Sequence, residues 1–218
     1  MTTTSGQIAR PTTILFQGDS VTDAGRSYEN DEILGTGYTM MTAAWYSATY
    51  PEKKVRFLNR GISGDRIRDL KDRWQRDCIK LRPAVVSILI GVNDALSIHV
   101  WNKPTPAESF QADYRTILKA TKNTLDAQIV LLEPFALHVA KEHSKLREEL
   151  DVIIQIVREL SADFGTLLIP LDKIFAEAAE KREPQFWSQD GVHPTLAGHA
   201  LIAQSWMKMI QSVSSLKA

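Results

Sequence analysis

Five short apolar runs, spaced along the whole chain, set the limits on what it can fold into: Thr13 to Phe16, Val55 to Leu58, Ala84 to Ile90, Ile129 to Leu132 and Leu167 to Pro170. Their length and β-branched content read as strands. Between them lie segments with helical periodicity, over Asp65 to Lys80, Ala107 to Asn123 and Lys141 to Phe164. In the last of these Leu146, Leu150, Ile153, Ile154, Val157 and Leu160 form one apolar stripe, with Lys145, Arg147, Glu148 and Arg158 between them. Strands alternating with helices predict βαβ units and a mostly parallel five-stranded sheet covered on both faces, a three-layer α/β/α sandwich. A final helix is expected to begin near Pro194, a residue suited to a first helical turn, and to run to about Val213.

A chain of 218 residues can bury a full core, and with no repeat or linker it is expected to form one domain over residues 1–218. Lys plus Arg equals Asp plus Glu, at 26 each, so no global field favours nucleic acid or an anionic membrane. A small neutral substrate fits that balance better. Cys78 is the only cysteine, which excludes an intramolecular disulfide and argues against a Cys-based zinc site; on a predicted helix it reads as a small core residue. The N-terminal M-T-T-T-S-G-Q-I-A-R-P lacks the apolar stretch of a secretory signal, and no run approaches a membrane span. The expectation is a cytoplasmic protein.

Polar residues cluster where the predicted strands end. The first run stops at Gly18-Asp19-Ser20, the second at Asn59-Arg60-Gly61-Ile62-Ser63-Gly64-Asp65 and the third at Gly91-Val92-Asn93-Asp94. In a parallel sheet the carboxyl ends of the strands share one edge, where ligand sites of open α/β folds form. Each cluster alone is also an ordinary turn or helix cap, with Asp19, Ser63 or Asp65 as capping residues. Together they point to one polar edge with Ser20 exposed on it.

A fourth cluster, Phe186-Trp187-Ser188-Gln189-Asp190-Gly191-Val192-His193-Pro194, lies near the C-terminus. Proline disfavours the helical region for the residue ahead of it, so His193 is expected in a loop. A turn through Gly191 can bring the Asp190 carboxylate onto the imidazole, which fixes the tautomer and leaves the other ring nitrogen free as a base. A serine nucleophile needs such a base. The metal-site reading of Asp190, His193 and His199 has little support: the histidines are six apart, and no H-E-x-x-H or cysteine pair accompanies them. His199 reads as a structural or surface residue, His138 and His143 have no informative spacing, and His99 is expected in a loop. Trp187 and Trp101 could present flat faces to a sugar, or simply pack in the core.

With these four blocks in order, the chain resembles the SGNH hydrolases, also called the GDSL esterase family. The blocks are Gly18-Asp19-Ser20, the N-x-G-x-x-G segment Asn59 to Gly64, Gly91-Val92-Asn93-Asp94 and Asp190-Gly191-Val192-His193-Pro194. Val21 stands where the family name has leucine. Within the family, L-G-T-G-Y, N-R-G-I-S-G-D-R-I-R-D-L-K-D-R-W and G-V-N-D are most similar to intracellular acetyl-xylooligosaccharide esterases. The resemblance implies a flavodoxin-like sandwich and a serine esterase acting on small O-acyl esters of sugars or short oligosaccharides, without metal or cofactor. It implies Ser20 as nucleophile, His193 as general base and acid, and Asp190 as the orienting carboxylate. The oxyanion hole would be the backbone N–H groups of Ser20 and Gly64 and the side-chain amide of Asn93. Related enzymes often form homo-oligomers. The alternatives within and beyond the family are a lysophospholipase or acyl-CoA thioesterase, and a non-catalytic carbohydrate-binding module. The chain lacks G-x-S-x-G, so it is not of the nucleophile-elbow type.

Overall fold

The computed structural model describes residues 12–101, 104–139 and 143–212, with the side chains of 98–101 and 143–145 left out of the description. Every predicted strand is present: β1 (Thr12–Gly18), β2 (Val55–Asn59), β3 (Val85–Leu89), β4 (Gln128–Leu132) and β5 (Leu167–Ile169). They form one sheet in the order β2-β1-β3-β4-β5, and each pairing is parallel. The helices are α1 (Ser20–Asp23), α2 (Tyr38–Thr49), α3 (Ile67–Asp77), α4 (Val92–Trp101), α5 (Ala107–Thr124), α6 (His143–Phe164), α7 (Leu171–Ala179), α8 (Pro184–Trp187) and α9 (Leu196–Ser212).

The strict alternation of a pleated strand divides the core in two. Leu15, Leu58, Val86, Ile88, Ile129 and Leu131 point to one face, where α3, α5 and α6 close over them with Leu70, Trp74, Tyr114, Leu118, Ile153 and Val157. Ile14, Phe16, Val85, Leu89, Val130 and Leu132 point to the other, covered by Tyr38 and Tyr46 of α2, Phe175 of α7, and Ile202 and Trp206 of α9. This is the predicted three-layer sandwich. The two buried indoles are matched: Trp206 donates to Ser87 Oγ at 3.2 Å and Trp74 to Thr121 Oγ1 at 3.0 Å.

Helix boundaries differ from the sequence expectation where caps intervene. α3 starts at Ile67 rather than Asp65, because the Arg66 backbone N–H donates to the Asp69 carboxylate at 2.8 Å and closes a capping box. It stops at Asp77, and Cys78, fully buried, begins a short 3₁₀ turn over Ile79–Leu81. α9 starts at Leu196, two residues after the expected Pro194. Pro194 instead pairs with Ser188 in an isolated antiparallel bridge, and the Thr195 hydroxyl accepts the Gly198 N–H at 3.3 Å. α2 carries no apolar stripe that periodicity would detect. It buries Tyr38, Thr39, Thr42, Ala43 and Tyr46 by contact with α9 and β2.

Candidate active site

β1 and β3 are sheet neighbours, although the chain between them first builds β2 on the far side of β1. Connections from the carboxyl ends of β1 and β3 therefore run in opposite directions, to β2 and to β4, which opens a crevice between them. Ser20 follows β1 and Asn93 follows β3, so both lie at this crevice.

The turn out of β1 is tight. A Cβ on Gly18 would sit 2.3 Å from both the Leu89 carbonyl oxygen and Thr22 Oγ1, so only glycine lets β1 and β3 approach this closely. Asp19 is buried, and its Oδ1 accepts the Val21 N–H at 3.0 Å, capping α1. Burial pushes its pKa up to about 7 against the lowering effects of that bond and of His193. Asp19 therefore holds the turn on which Ser20 stands.

The Ser20 hydroxyl lies 2.9 Å from His193 Nε2. On the far side of the ring, Nδ1 is 2.6 Å from Asp190 Oδ2. A carboxylate can only accept, so Nδ1 carries a proton, and in the neutral ring Nε2 is the acceptor for the serine O–H. Asp190 Oδ1 accepts the backbone N–H groups of His193 at 2.8 Å and Val192 at 3.1 Å. Burial alone would raise the Asp190 pKa, but the backbone and ring bonds from His193 and the Val192 N–H outweigh it and hold the carboxyl below its ordinary value. The loop itself is pinned by the Leu137 N–H on the Gly191 carbonyl at 2.8 Å and by the Ser188 hydroxyl on the His193 carbonyl at 2.7 Å.

The second and third blocks complete the edge. Gly64 takes φ +86°, a conformation strained for any side-chain-bearing residue, and a Cβ there would meet nothing within 4 Å. The turn around it is held by Ser63 N–H on Asp23 Oδ2 at 3.1 Å and by Ile62 N–H on the Gly18 carbonyl at 3.1 Å. Asn93, in the first turn of α4, donates one amide proton to the Asp65 carbonyl at 3.0 Å, which orients the second. Asn59 acts as a brace: its Nδ2 donates to the Thr22 carbonyl at 2.7 Å and the Leu34 carbonyl at 2.8 Å, and its Oδ1 accepts the Gly61 N–H at 2.9 Å.

The dyad of His193 and Asp190 is open to water, with side chains 56% and 55% exposed. Beside it runs an open groove of about 720 Å³, lined by Phe186, Gln189, His193, Pro194, Leu196 and others. Trp187 does not line this groove. Its indole donates to the Ala178 carbonyl at 3.0 Å and packs against the α2/α7/α9 core, which is the packing alternative. Trp101 closes α4, which also contains His99 in place of the expected loop; the side chains of both, and that of His143, lie outside the described residues. His199 is structural: its Nδ1 accepts the Tyr38 N–H at 3.2 Å, and burial pushes its pKa down to about 4, so it is neutral near pH 7. Among the described residues no group of three or more His, Cys, Asp or Glu side chains is placed to hold a metal ion.

Several contributors escaped the sequence reading. Asp23 accepts both the Ser63 N–H and the Tyr28 hydroxyl, the latter at 2.5 Å, and Arg26 Nε donates to the Gly61 carbonyl at 2.6 Å. These residues carry no motif of their own, since each is defined by a partner in another block. Asp94, the last residue of the third block, accepts the Ile67 N–H on Oδ2 at 3.1 Å and so caps α3. Its Oδ1 is buried without a hydrogen-bond partner among the described residues. Burial pushes its pKa up to about 7, only partly offset by the Ile67 N–H and Thr105.

The sign of that shift makes a prediction. The folded protein keeps the Asp94 proton until pH about 7, while the unfolded chain releases it near 3.8, so the contribution of Asp94 to stability falls as pH rises between those values and is flat above. Asp94→Asn removes the buried charge and lets Oδ1 of the amide accept the Ile67 N–H. Its gain in stability should be larger at pH 8, on the order of a few kcal/mol, than at pH 5. Thermal unfolding of both proteins at the two pH values checks this, and an equal or reversed difference would count against the buried ionised carboxylate.

A model of the GDSL-like lipase/acylhydrolase family matches residues 16–201. The acetylxylan esterase of Geobacillus stearothermophilus is 33% identical over 210 residues, covering 90% of this chain and 93% of that protein. Among solved structures, a GDSL-like lipase candidate from Parabacteroides merdae ATCC 43184 superposes with a TM-score of 0.88 at 38% identity, over 92% of this chain and 95% of the other. Axe2, an acetylxylan esterase from Geobacillus stearothermophilus, does so with a TM-score of 0.84 at 31% identity, over 91% and 93%.

Proposed function

Since the chain belongs to the GDSL-like lipase/acylhydrolase family and is a carboxylic ester hydrolase, we propose that it removes O-acetyl groups from sugars or short oligosaccharides through a Ser20-His193-Asp190 acyl-enzyme mechanism. The observation that carries the mechanism is the continuous relay of 2.9 Å from Ser20 Oγ to His193 Nε2 and 2.6 Å from Nδ1 to Asp190 Oδ2. Support for the substrate comes from the likeness to an acetylxylan esterase. The groove beside His193 is open to solvent, which suits a polar leaving group better than a long acyl chain.

In the first step Ser20 Oγ bonds to the ester carbonyl carbon as its proton passes to His193 Nε2, and Asp190 stabilises the imidazolium. The carbonyl π electrons move onto oxygen, where the N–H groups of Ser20 and Gly64 and the Asn93 amide donate to the oxyanion. Collapse breaks the bond to the alkoxy oxygen, which leaves as an alcohol with the proton from Nε2. Water, deprotonated by the same nitrogen, then adds to the acyl carbon, and collapse breaks the bond to Ser20 Oγ, which takes the proton back from Nε2 as the acid is released. Each oxyanion donor contributes roughly 3 to 4 kcal/mol, because it meets a charge that is fully developed only in the transition state.

A series of p-nitrophenyl esters tests the acyl preference. Acetate should be the best substrate, with rates falling as the chain lengthens; activity that rises from acetate to octanoate would transfer the protein to the lysophospholipase or thioesterase class. Acetate release from acetylated xylo-oligosaccharides against other acetylated sugars then identifies the carbohydrate. Purified protein that hydrolysed no ester and ignored a serine-directed fluorophosphonate would instead be a binding module.

A further inference from the structure

We propose that Asp65 is a positioning residue for the oxyanion pocket, and that Arg73 holds it in register with the nucleophile strand. The proposal rests on the reading that Ser20, Gly64 and Asn93 form that pocket. Asp65 follows Gly64 directly, so its backbone fixes one donor, and its carbonyl accepts from the Asn93 amide at 3.0 Å, which aims another. Its carboxylate accepts Arg73 Nε at 2.8 Å, with both side chains largely buried, at 13% and 7% exposure. The same guanidinium reaches Gln17 Oε1 at 2.8 Å, Asp77 Oδ2 at 3.3 Å and the Gly18 carbonyl at 3.4 Å. Gln17 and Gly18 end β1, two residues before the serine. One rigid, planar cation therefore touches both the strand that delivers the nucleophile and the turn that delivers the donors.

Stability is a poor account of this arrangement. Buried ion pairs seldom stabilise more than well-packed apolar side chains of the same volume would, because desolvation offsets their attraction. Burial raises the Asp65 pKa in spite of Arg73, which is that cost in visible form. What the pair supplies is distance. Oxyanion donors must stand within about 0.5 Å of their productive positions, and a misplacement of about 1 Å can lower a rate on the order of 100-fold. The other flank of the turn is held separately, by Ser63 N–H on Asp23, so the Arg73 side can be loosened alone.

The test compares Asp65→Ala, Arg73→Lys, Asn93→Ala and the double variant Asp65→Ala/Asn93→Ala on p-nitrophenyl acetate, with thermal unfolding of each. Asp65→Ala keeps the backbone carbonyl and cuts the tie to Arg73. Arg73→Lys keeps a cation beside Asp65 and Asp77 but loses the fork. Both should lower kcat by about tenfold or more with KM within about threefold. Asn93→Ala should lower it roughly 10² to 10³-fold. The double variant should fall below Asn93→Ala by less than the full factor lost in Asp65→Ala, since the two changes share the Asn93 donor. A slow Asn93→Ala beside Asp65→Ala and Arg73→Lys that stay within about twofold of the parent would overturn this proposal alone, as would losses that multiply in full. A normal rate in Asn93→Ala would overturn the pocket reading and this proposal with it. Should Asp65→Ala unfold, Arg73→Lys decides by the same thresholds.

Discussion

Ser20→Ala should lower kcat by about 10⁵ to 10⁶-fold while leaving the fold intact, the largest effect expected of any single substitution. The two parts of that expectation come from different observations. The loss of rate follows because Ser20 Oγ is the atom 2.9 Å from His193 Nε2, and no other hydroxyl is bonded to that nitrogen among the described residues. Without it the acyl-enzyme cannot form, and residual rate must come from water in the same pocket. The fold is retained because the hydroxyl bridges an exposed ring rather than a core group, whereas the turn itself is held by Asp19 on Val21 and by Gly18 between Leu89 and Thr22. The midpoint of thermal unfolding should therefore barely move, in line with changes of about 0.5 kcal/mol for substitutions away from packed features. Acetate release measured beside an unfolding curve tests both parts. A variant that is folded and turns over normally would discard Ser20 as the nucleophile.

For Asp190→Asn the expected loss is about 10⁴-fold, through the tautomer of His193 rather than through the fold. Asp190 Oδ1 accepts two backbone N–H groups, from Val192 and His193, so an asparagine must keep its oxygen there and place its NH₂ where Oδ2 faces Nδ1. A donor at that position forces the proton from Nδ1 to Nε2, and Nε2–H can no longer accept from the serine. The imidazolium formed during reaction also loses its counter-charge. Stability should change little, since the carboxylate is 55% exposed and its attraction for the ring is screened by water. The pH–rate profile is the discriminating measurement. An unchanged rate and an unchanged profile would show that Asp190 does not orient the base.

The local part of this machinery is written in spacing. Asp190 and His193 are three residues apart with Gly191 between them, so their contact is a property of one turn, and the backbone N–H groups that hold Asp190 come from the same turn. Gly18 and Gly64 were legible for a similar reason, because a close approach and a positive φ each restrict residue type at a single position. Asp65, Arg73 and Asp23 were not. Arg73 lies in an arginine- and aspartate-rich helix, and only packing turns it toward Gln17, Gly18 and Asp65 instead of water. Trp187, placed three residues before Asp190, was open to either a substrate or a packing role, and the direction of its ring toward Ala178 depends on where α7 lies.

By itself the sequence determined the alternation of strands and helices, the layers they form and the polar character of the strand ends, because hydrophobic period and turn chemistry are set by near neighbours in the chain. It also determined which residue types stood ready for acyl transfer. Only the tertiary structure decided that Ser20 and His193, 173 residues apart, share a hydrogen bond, and that β1 lies between β2 and β3 so that the turns following all three strands meet at one edge of the sheet. Strand order and the partners of buried polar groups are long-range choices, made by which apolar faces fit together, and no local pattern encodes them.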